Sequence, residues 1–170
     1  MLTNLGETLT RLGDSAKAIA YLKQAEELAD ELGDELGLAE AVRGLGKAYL
    51  ARREYTRARE CIGRAVQIFE RVQSRVQLGI ALRSLGEVTA AGSAGGEDTQ
   101  RARGYFRQSI AIFEEAGNDV ELGRTLRAFA EAMKDSLEAQ TDAELKKELD
   151  AARKRGDDLF AKLRLDVIGL

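Results

Sequence analysis

Side chains that commonly carry chemistry are scarce here: the 170 residues include no histidine, no tryptophan and a single cysteine. Without histidine, Ser-His-Asp and Cys-His relays and imidazole-ligated metal sites are ruled out within the chain. No metal and no cofactor are expected. Cys61 has no partner for an internal disulfide, and a free cysteine is usually a small buried hydrophobe, so a packing role is expected. Carboxylates abound, as in Glu26-Glu27 with Asp30-Glu31 and in Asp157-Asp158. At helical spacing such acids form a solvated face much more often than an acid/base pair, and the alternating acids with central glycine of a calcium loop are missing. The stretch Ala91-Gly92-Ser93-Ala94-Gly95-Gly96 lacks the Gly-Lys-Ser or Gly-Lys-Thr end of a phosphate loop, and no strand precedes it. It is expected to be a lengthened turn, and the chain is expected not to be an enzyme.

The composition points to a helical scaffold. Apolar residues make up 44% and charged residues 32% of the chain, and proline is absent. Since proline inside a helix costs about 3 kcal/mol, its absence agrees with an almost wholly helical chain. The formal charge of -3 argues against a nucleic-acid partner, which needs a concentrated basic surface to neutralise phosphates. No apolar run approaches the roughly 20 residues that span a bilayer, and Met1-Leu2-Thr3-Asn4 does not begin a signal peptide. No membrane partner is expected, and the expected location is cytoplasmic.

The organising feature is a repeat. Gly6, Gly46 and Gly86 each follow a leucine at intervals of 40 residues, and Phe129-Ala130 repeats the pair 44 further on. Val42, Leu82 and Leu126 align within these first helices. In the second helices Ala18, Ala58 and Ala102 align, as do Leu22, Ile62 and Phe106, Ala25, Ala65 and Ser109, and Leu28, Ile68 and Ile112. A small residue beside a large one makes a notch next to a ridge, so a partner helix can approach closely; repeated, this builds stacked helical hairpins.

The Leu-Gly pair with Tyr49 three residues on, and Ala58, Ile62 and Ala65 beyond, resembles the tetratricopeptide repeat over about residues 1–135. The period of 40 exceeds the family's usual length of about 34, and the proline common at the end of its second helix is missing. The longer period resembles the subgroup with extended helices found in bacterial signalling proteins and cell-polarity adaptors. The resemblance implies an all-α fold: a right-handed superhelix of about three and a half helical hairpins plus a C-terminal capping helix.

The expected layout is an array over 1–140, with helix pairs at about 1–33, 34–73 and 74–117 and the first helix of a fourth over 118–140. A capping helix follows at 141–165, then a tail at 166–170. Its apolar or small face is Leu145, Leu149, Ala152, Gly156, Leu159, Phe160 and Leu163. The first helix is expected over about Thr3 to Leu12, with Asp14 capping the next. Ser74 with Gln77, Asn118 with Glu121 and Thr141 with Glu144 are spaced as capping boxes. The first hairpin begins inside its first helix, as if the array were cut there, which leaves a terminal repeat open to self-association.

In the family the first helices line a concave groove. Carried over, that arrangement implies an arginine column, Arg43, Arg83 and Arg127, with Thr3 at the first position. A mixed column stands beside it, Glu7, Lys47, Glu87 and Glu131. Glu40, Arg124, Leu50, Lys134 and Asp135 are further groove candidates. The resemblance thus implies a protein-interaction module that holds a peptide or helix of a protein partner, with arginine forks suited to acidic groups. Alternatively Arg43 pairs with Glu7 or Glu87, and Arg83 with Glu87 or Glu131, tying neighbouring repeats. The lysine and asparagine clamp that holds chaperone tails is not matched at Thr3, Glu7, Gly44, Ile80 and Ser84. A different implied role is a regulatory or self-associating repeat segment of a larger signalling protein: a kinase, a STAND-type ATPase or a transcription regulator.

Overall fold

The computed structural model describes residues 1–93, 95–136 and 141–163. Among them are eight helices: α1 (Leu2–Arg11), α2 (Ser15–Glu31), α3 (Glu35–Ala51), α4 (Tyr55–Arg71), α5 (Arg75–Ala91), α6 (Glu97–Glu115), α7 (Asp119–Met133) and α8 (Ala143–Leu163). No strand accompanies them among these residues. Every helix packs on its neighbours in sequence, as hairpins of a helical-repeat stack do.

Turn chemistry explains where the helices start and stop. The carboxylates of Asp14 and Asp34 accept hydrogen bonds from the Lys17 and Gly37 N–H groups, at 3.2 and 2.9 Å. Asn118 accepts from Glu121 N–H at 3.1 Å, which satisfies one of the orphan donors of the first turn. The turns reverse through left-handed residues: Gly13, Gly33 and Gly117 have φ of 86°, 66° and 60°. Arg53 and Gln73 take the same conformation, at 60° and 55°, although a side chain there costs roughly 1–2 kcal/mol.

Three local expectations are corrected. Ser74 makes no side-chain cap on α5. Asp142, not Thr141, opens α8, its carboxylate accepting from the N–H groups of Glu144 and Leu145 at 2.9 and 3.2 Å. The helix expected to reach Gln140 ends at Met133, where Ser136 N–H closes a turn onto the Met133 carbonyl at 3.1 Å. Residues 137–140 and the expected tail lie outside the described residues.

Close backbone approach sets the packing inside each hairpin. A Cβ on Gly46 would lie 2.3 Å from Ile62 Cγ1 and 3.0 Å from the Ala58 carbonyl oxygen. Gly6 receives Leu22 in the same way, and Gly86 receives the Phe106 ring. Leu22, Ile62 and Phe106 are fully buried. At the last pair the signature glycine is Ala130, and the closest crossing moves to two other glycines: a Cβ on Gly156 would stand 3.1 Å from the Gly123 carbonyl oxygen.

The hairpins form two layers. Odd-numbered helices touch in the series α1, α3, α5, α7, most sparsely between α3 and α5, and no comparable backbone contact joins the even-numbered ones. Long side chains bridge the outer layer instead. Arg64 reaches Glu26 from α4 to α2, Arg59 approaches Asp98 of α6 at 3.8 Å, and Arg155 of α8 reaches Glu114 at 2.6 Å. The layer with the shorter spacing is the concave side.

Most of the core runs as one cluster from Ala39 to Ala152, with a smaller one around Ala18, Leu22, Leu45 and Ala48. Cys61 packs beside the latter, and burial raises its thiol pKa, which opposes thiolate formation. One polar layer interrupts the main core. Ser109 Oγ donates to the Gly79 carbonyl at 2.8 Å and lies 3.3 Å from Thr125 Oγ1, which donates to the Glu121 carbonyl at 2.9 Å.

The glycine notch separates two kinds of helical glycine. Gly46→Val should lower stability by about 1–3 kcal/mol through overpacking against Ile62 and Ala58. Gly63 has open space where its Cβ would be, so Gly63→Ala should raise stability by about 0.5–1 kcal/mol. Urea unfolding midpoints of the two variants check the opposite signs.

Candidate partner-binding groove

The odd-numbered helices present a concave cavity of about 1100 Å³, closed at one end by α8. From α1 it is lined by Glu7, Thr10 and Arg11, from α3 by Lys47, and from α5 by Arg83, Ser84 and Glu87. From α7 and its end come Arg124, Arg127, Ala128, Ala130, Glu131 and Lys134, and from α8 Lys146, Leu149, Asp150, Arg153 and Phe160. Eight of these side chains are cationic and four are carboxylates, on a chain whose formal charge is -3. The sign of the wall is therefore opposite to that of the whole molecule.

The arginine column is already engaged. Arg43 is buried and donates to Glu7 at 2.8 Å, so it ties α3 to α1 and does not line the cavity. Arg83 donates to Glu121 at 2.7 Å and to Thr125 Oγ1 at 3.2 Å, joining α5 to α7. Its partner is thus neither Glu87 nor Glu131. Arg127 lies 3.3 Å from Asp157 and stands over the Phe160 ring, 5.5 Å from its centroid. Arg124 shares Glu121 with Arg83, at 2.6 Å, and Lys134 holds Glu131 at 2.6 Å.

Lys47 and Glu87 differ from all of these. They occupy equivalent positions, one residue beyond Gly46 and Gly86, on the two inner helices with the sparsest contact. Among the described residues no ion pair within 4 Å and no side-chain hydrogen bond joins α3 to α5, and neither of these two charges has either kind of partner. Burial at the groove floor pushes the Glu87 carboxyl up, an effect only partly offset by Arg83, Lys47 and Arg43. Burial also pulls Lys47 down, helped by Arg43. Glu121 behaves oppositely: burial would raise it, but Arg83 and Arg124 outweigh that and hold it below the usual range.

Of the residues expected at the groove, Glu7, Lys47, Arg83, Glu87, Arg124, Arg127, Glu131 and Lys134 line the cavity, whereas Arg43, Glu40, Thr3, Leu50 and Asp135 do not. Arg11 of α1 was not anticipated, nor were Lys146, Asp150 and Arg153, which belong to α8, outside the 40-residue register. Their signal was present in part: Lys146, Leu149, Asp150 and Arg153 fall at the spacing of one helical stripe. Among the described residues no group of three or more carboxylates and thiols is placed to hold a metal ion, and no helix is long and apolar enough to cross a membrane.

A stack of notched hairpins with its inner helices around a groove is the architecture expected from the sequence signature. Residues 1–71 match the tetratricopeptide repeat. The matched stretch spans α1 to α4, the hairpins of Gly6 and Gly46. Tetratricopeptide repeats act as protein-interaction modules and are typically non-catalytic, and the similarity covers this segment of the chain. A search of curated proteins gave no match.

Glu87 gives the groove a pH signature. Its folded pKa is raised, so its negative charge weakens the fold once pH climbs above the ordinary 4.5 and through the raised value. Glu87→Gln should therefore raise the melting temperature at pH 7, and the gain should vanish below pH 4.5, where both states of the native protein carry the proton. Calorimetry of both proteins from pH 4 to 8 checks the crossing.

Proposed function

We propose that this chain captures an acidic segment of a partner protein in the concave groove. The observation that carries this reading is the cationic excess of the wall, with four of its cations, Arg11, Lys47, Lys146 and Arg153, making no ion pair within 4 Å among the described residues. The tied cations contribute differently. An arginine already held by a carboxylate loses less freedom when a ligand arrives, so Arg83, Arg124 and Arg127 are preorganised. Arginine forks favour carboxylate geometry, whereas the lysines act as point charges.

A labelled 14-residue peptide of alternating Glu and Ser, with its Lys counterpart as control, tests this by fluorescence polarisation. The acidic peptide should bind and weaken as salt rises. Reversal of the unpaired cations, Lys146→Glu with Arg153→Glu, should lower its affinity at least tenfold while leaving the inter-repeat ties intact. Equal binding of both peptides, or unchanged affinity in the folded double variant, would overturn the reading. Reversing Arg43 or Arg83 would be less informative, since each also severs a tie to Glu7 or Glu121.

A second reading, self-association as a regulatory repeat segment of a larger signalling protein, has support at the other end of the stack. Leu5 is 42% exposed, whereas its equivalents Leu45 and Leu85 are 3% and 6% exposed; Leu28 is 48% exposed against 5% and 9% for Ile68 and Ile112. The same apolar positions that neighbouring hairpins cover are thus open on the first, an edge that fits a second copy of the stack. If this edge pairs, light scattering should show a concentration-dependent dimer that Leu5→Glu with Leu28→Glu returns to monomer. A monomer at all concentrations removes this reading and leaves the groove.

A further inference from the structure

Of the three joints in the inner layer, two have a charged tie close to the concave face. Arg43 with Glu7 closes α1 to α3, and Arg83 with Glu121 closes α5 to α7. The middle joint, α3 to α5, has no such tie among the described residues; Lys47 and Glu87, each one residue beyond its signature glycine, stand on its two helices, opposite in sign and unbonded. Both line the cavity. Three carboxylates share the wall with Glu87, and two of them, Glu7 and Glu131, are satisfied by Arg43 and Lys134. The third, Asp150, is exposed on α8 at the closed end. Glu87 is therefore the carboxylate at mid-groove that remains open to a ligand.

Building on the groove reading above, we infer that Lys47 and Glu87 form a two-sign specificity site that selects, within an acidic partner segment, one basic residue about 10 Å from an acidic one. The basic side chain of the partner pairs with Glu87 and its acidic neighbour with Lys47. Charge complementarity carries the assignment: a uniformly acidic segment would place a carboxylate against Glu87, and a like-charge contact of this kind selects against the wrong partner. The cationic wall supplies attraction, and this couple supplies register.

The spacing follows from the stack. Packed helices stand about 8–10 Å apart, and three residues of polyproline-type chain rise about 9 Å with residues i and i+3 on the same side. An extended Lys-x-x-Glu or Glu-x-x-Lys element inside an acidic segment is the occupant that fits. Chain direction in the groove decides which order binds.

Three labelled 14-residue peptides of identical acidic composition test the site: one with a central Lys-x-x-Glu, one with a central Glu-x-x-Lys, and one with the lysine moved to a terminus. The protein as it stands should prefer one central order over the other two about tenfold. Glu87→Gln should erase the preference while retaining binding of the acidic peptides, and the swap Lys47→Glu with Glu87→Lys should invert it. Circular dichroism establishes that each variant is folded, and the Gln variant carries the test if the swap is not. Equal binding of all three peptides would overturn this inference and leave the acidic groove standing. Binding of none would overturn both. A preference for a lysine and glutamate seven residues apart, about 10.5 Å along a helix, would overturn the extended mode.

Discussion

A close contact between a residue without a side chain and a bulky residue on its partner helix governs the rest. Where Gly46 meets Ile62, the next heavy atom behind the side chain is the Ala58 backbone oxygen, so neither helix can move inward and little space remains to move outward. Fixing that separation fixes how far each hairpin spreads at its two faces. The inner helices then come near enough to pack directly on one another, while the outer ones are bridged by arginine and glutamate side chains. The groove is the geometric remainder of this inequality. Its walls need no dedicated loop, since each repeat delivers side chains to them from the same helical positions.

Charge does different work in the two layers. Exposed pairs such as Arg155 with Glu114 contribute about 0–1 kcal/mol each, and they act more as spacers of the outer layer than as sources of stability. In the inner layer Arg43 and Arg83 are largely covered, so the same chemistry there holds neighbouring helices and also positions charge at the groove. The middle joint departs from this economy. Leaving Glu87 unbonded on a partly dehydrated floor, beside the exposed Lys47, costs stability, and charge kept at such a cost in a concave surface is the usual mark of a surface kept for something else.

The fold was legible because its main determinant is periodic. A glycine every 40 residues, with Leu22, Ile62 and Phe106 at a fixed offset, specifies which residues touch before any coordinates are known. Capping was less legible: Ser74 and Thr141 have the right side chains at the right spacing, yet Ser74 makes no cap and Asp142 supplies the stronger charged acceptor for α8. The groove was legible on α3, α5 and α7, where register transfers from one repeat to the next. It failed at Arg43, whose burial depends on the length and reach of Glu7 across the joint. It failed again on α8, which closes the stack outside the period, so its inward stripe could be assigned only from the packing of α7 against it.

The polar layer of Ser109, Thr125 and Gly79 bears on how the units are ordered. Most of the core is built from alanine, leucine, isoleucine, valine and phenylalanine in repeating places, and such units could in principle stack in another sequence or exchange between molecules. Here a hydroxyl stands where the first two repeats have Ala25 and Ala65; it donates to the Gly79 carbonyl of its own hairpin and lies against Thr125 of α7, which accepts from Arg83. Joined to any other hairpin, Ser109 would keep its bond to Gly79, but the largely covered Arg83 of α5 would lose Glu121 and Thr125, its partners on α7. The third hairpin is therefore matched to its successor: at any other junction Arg83 would need a new carboxylate, which disfavours exchange or slippage at that joint.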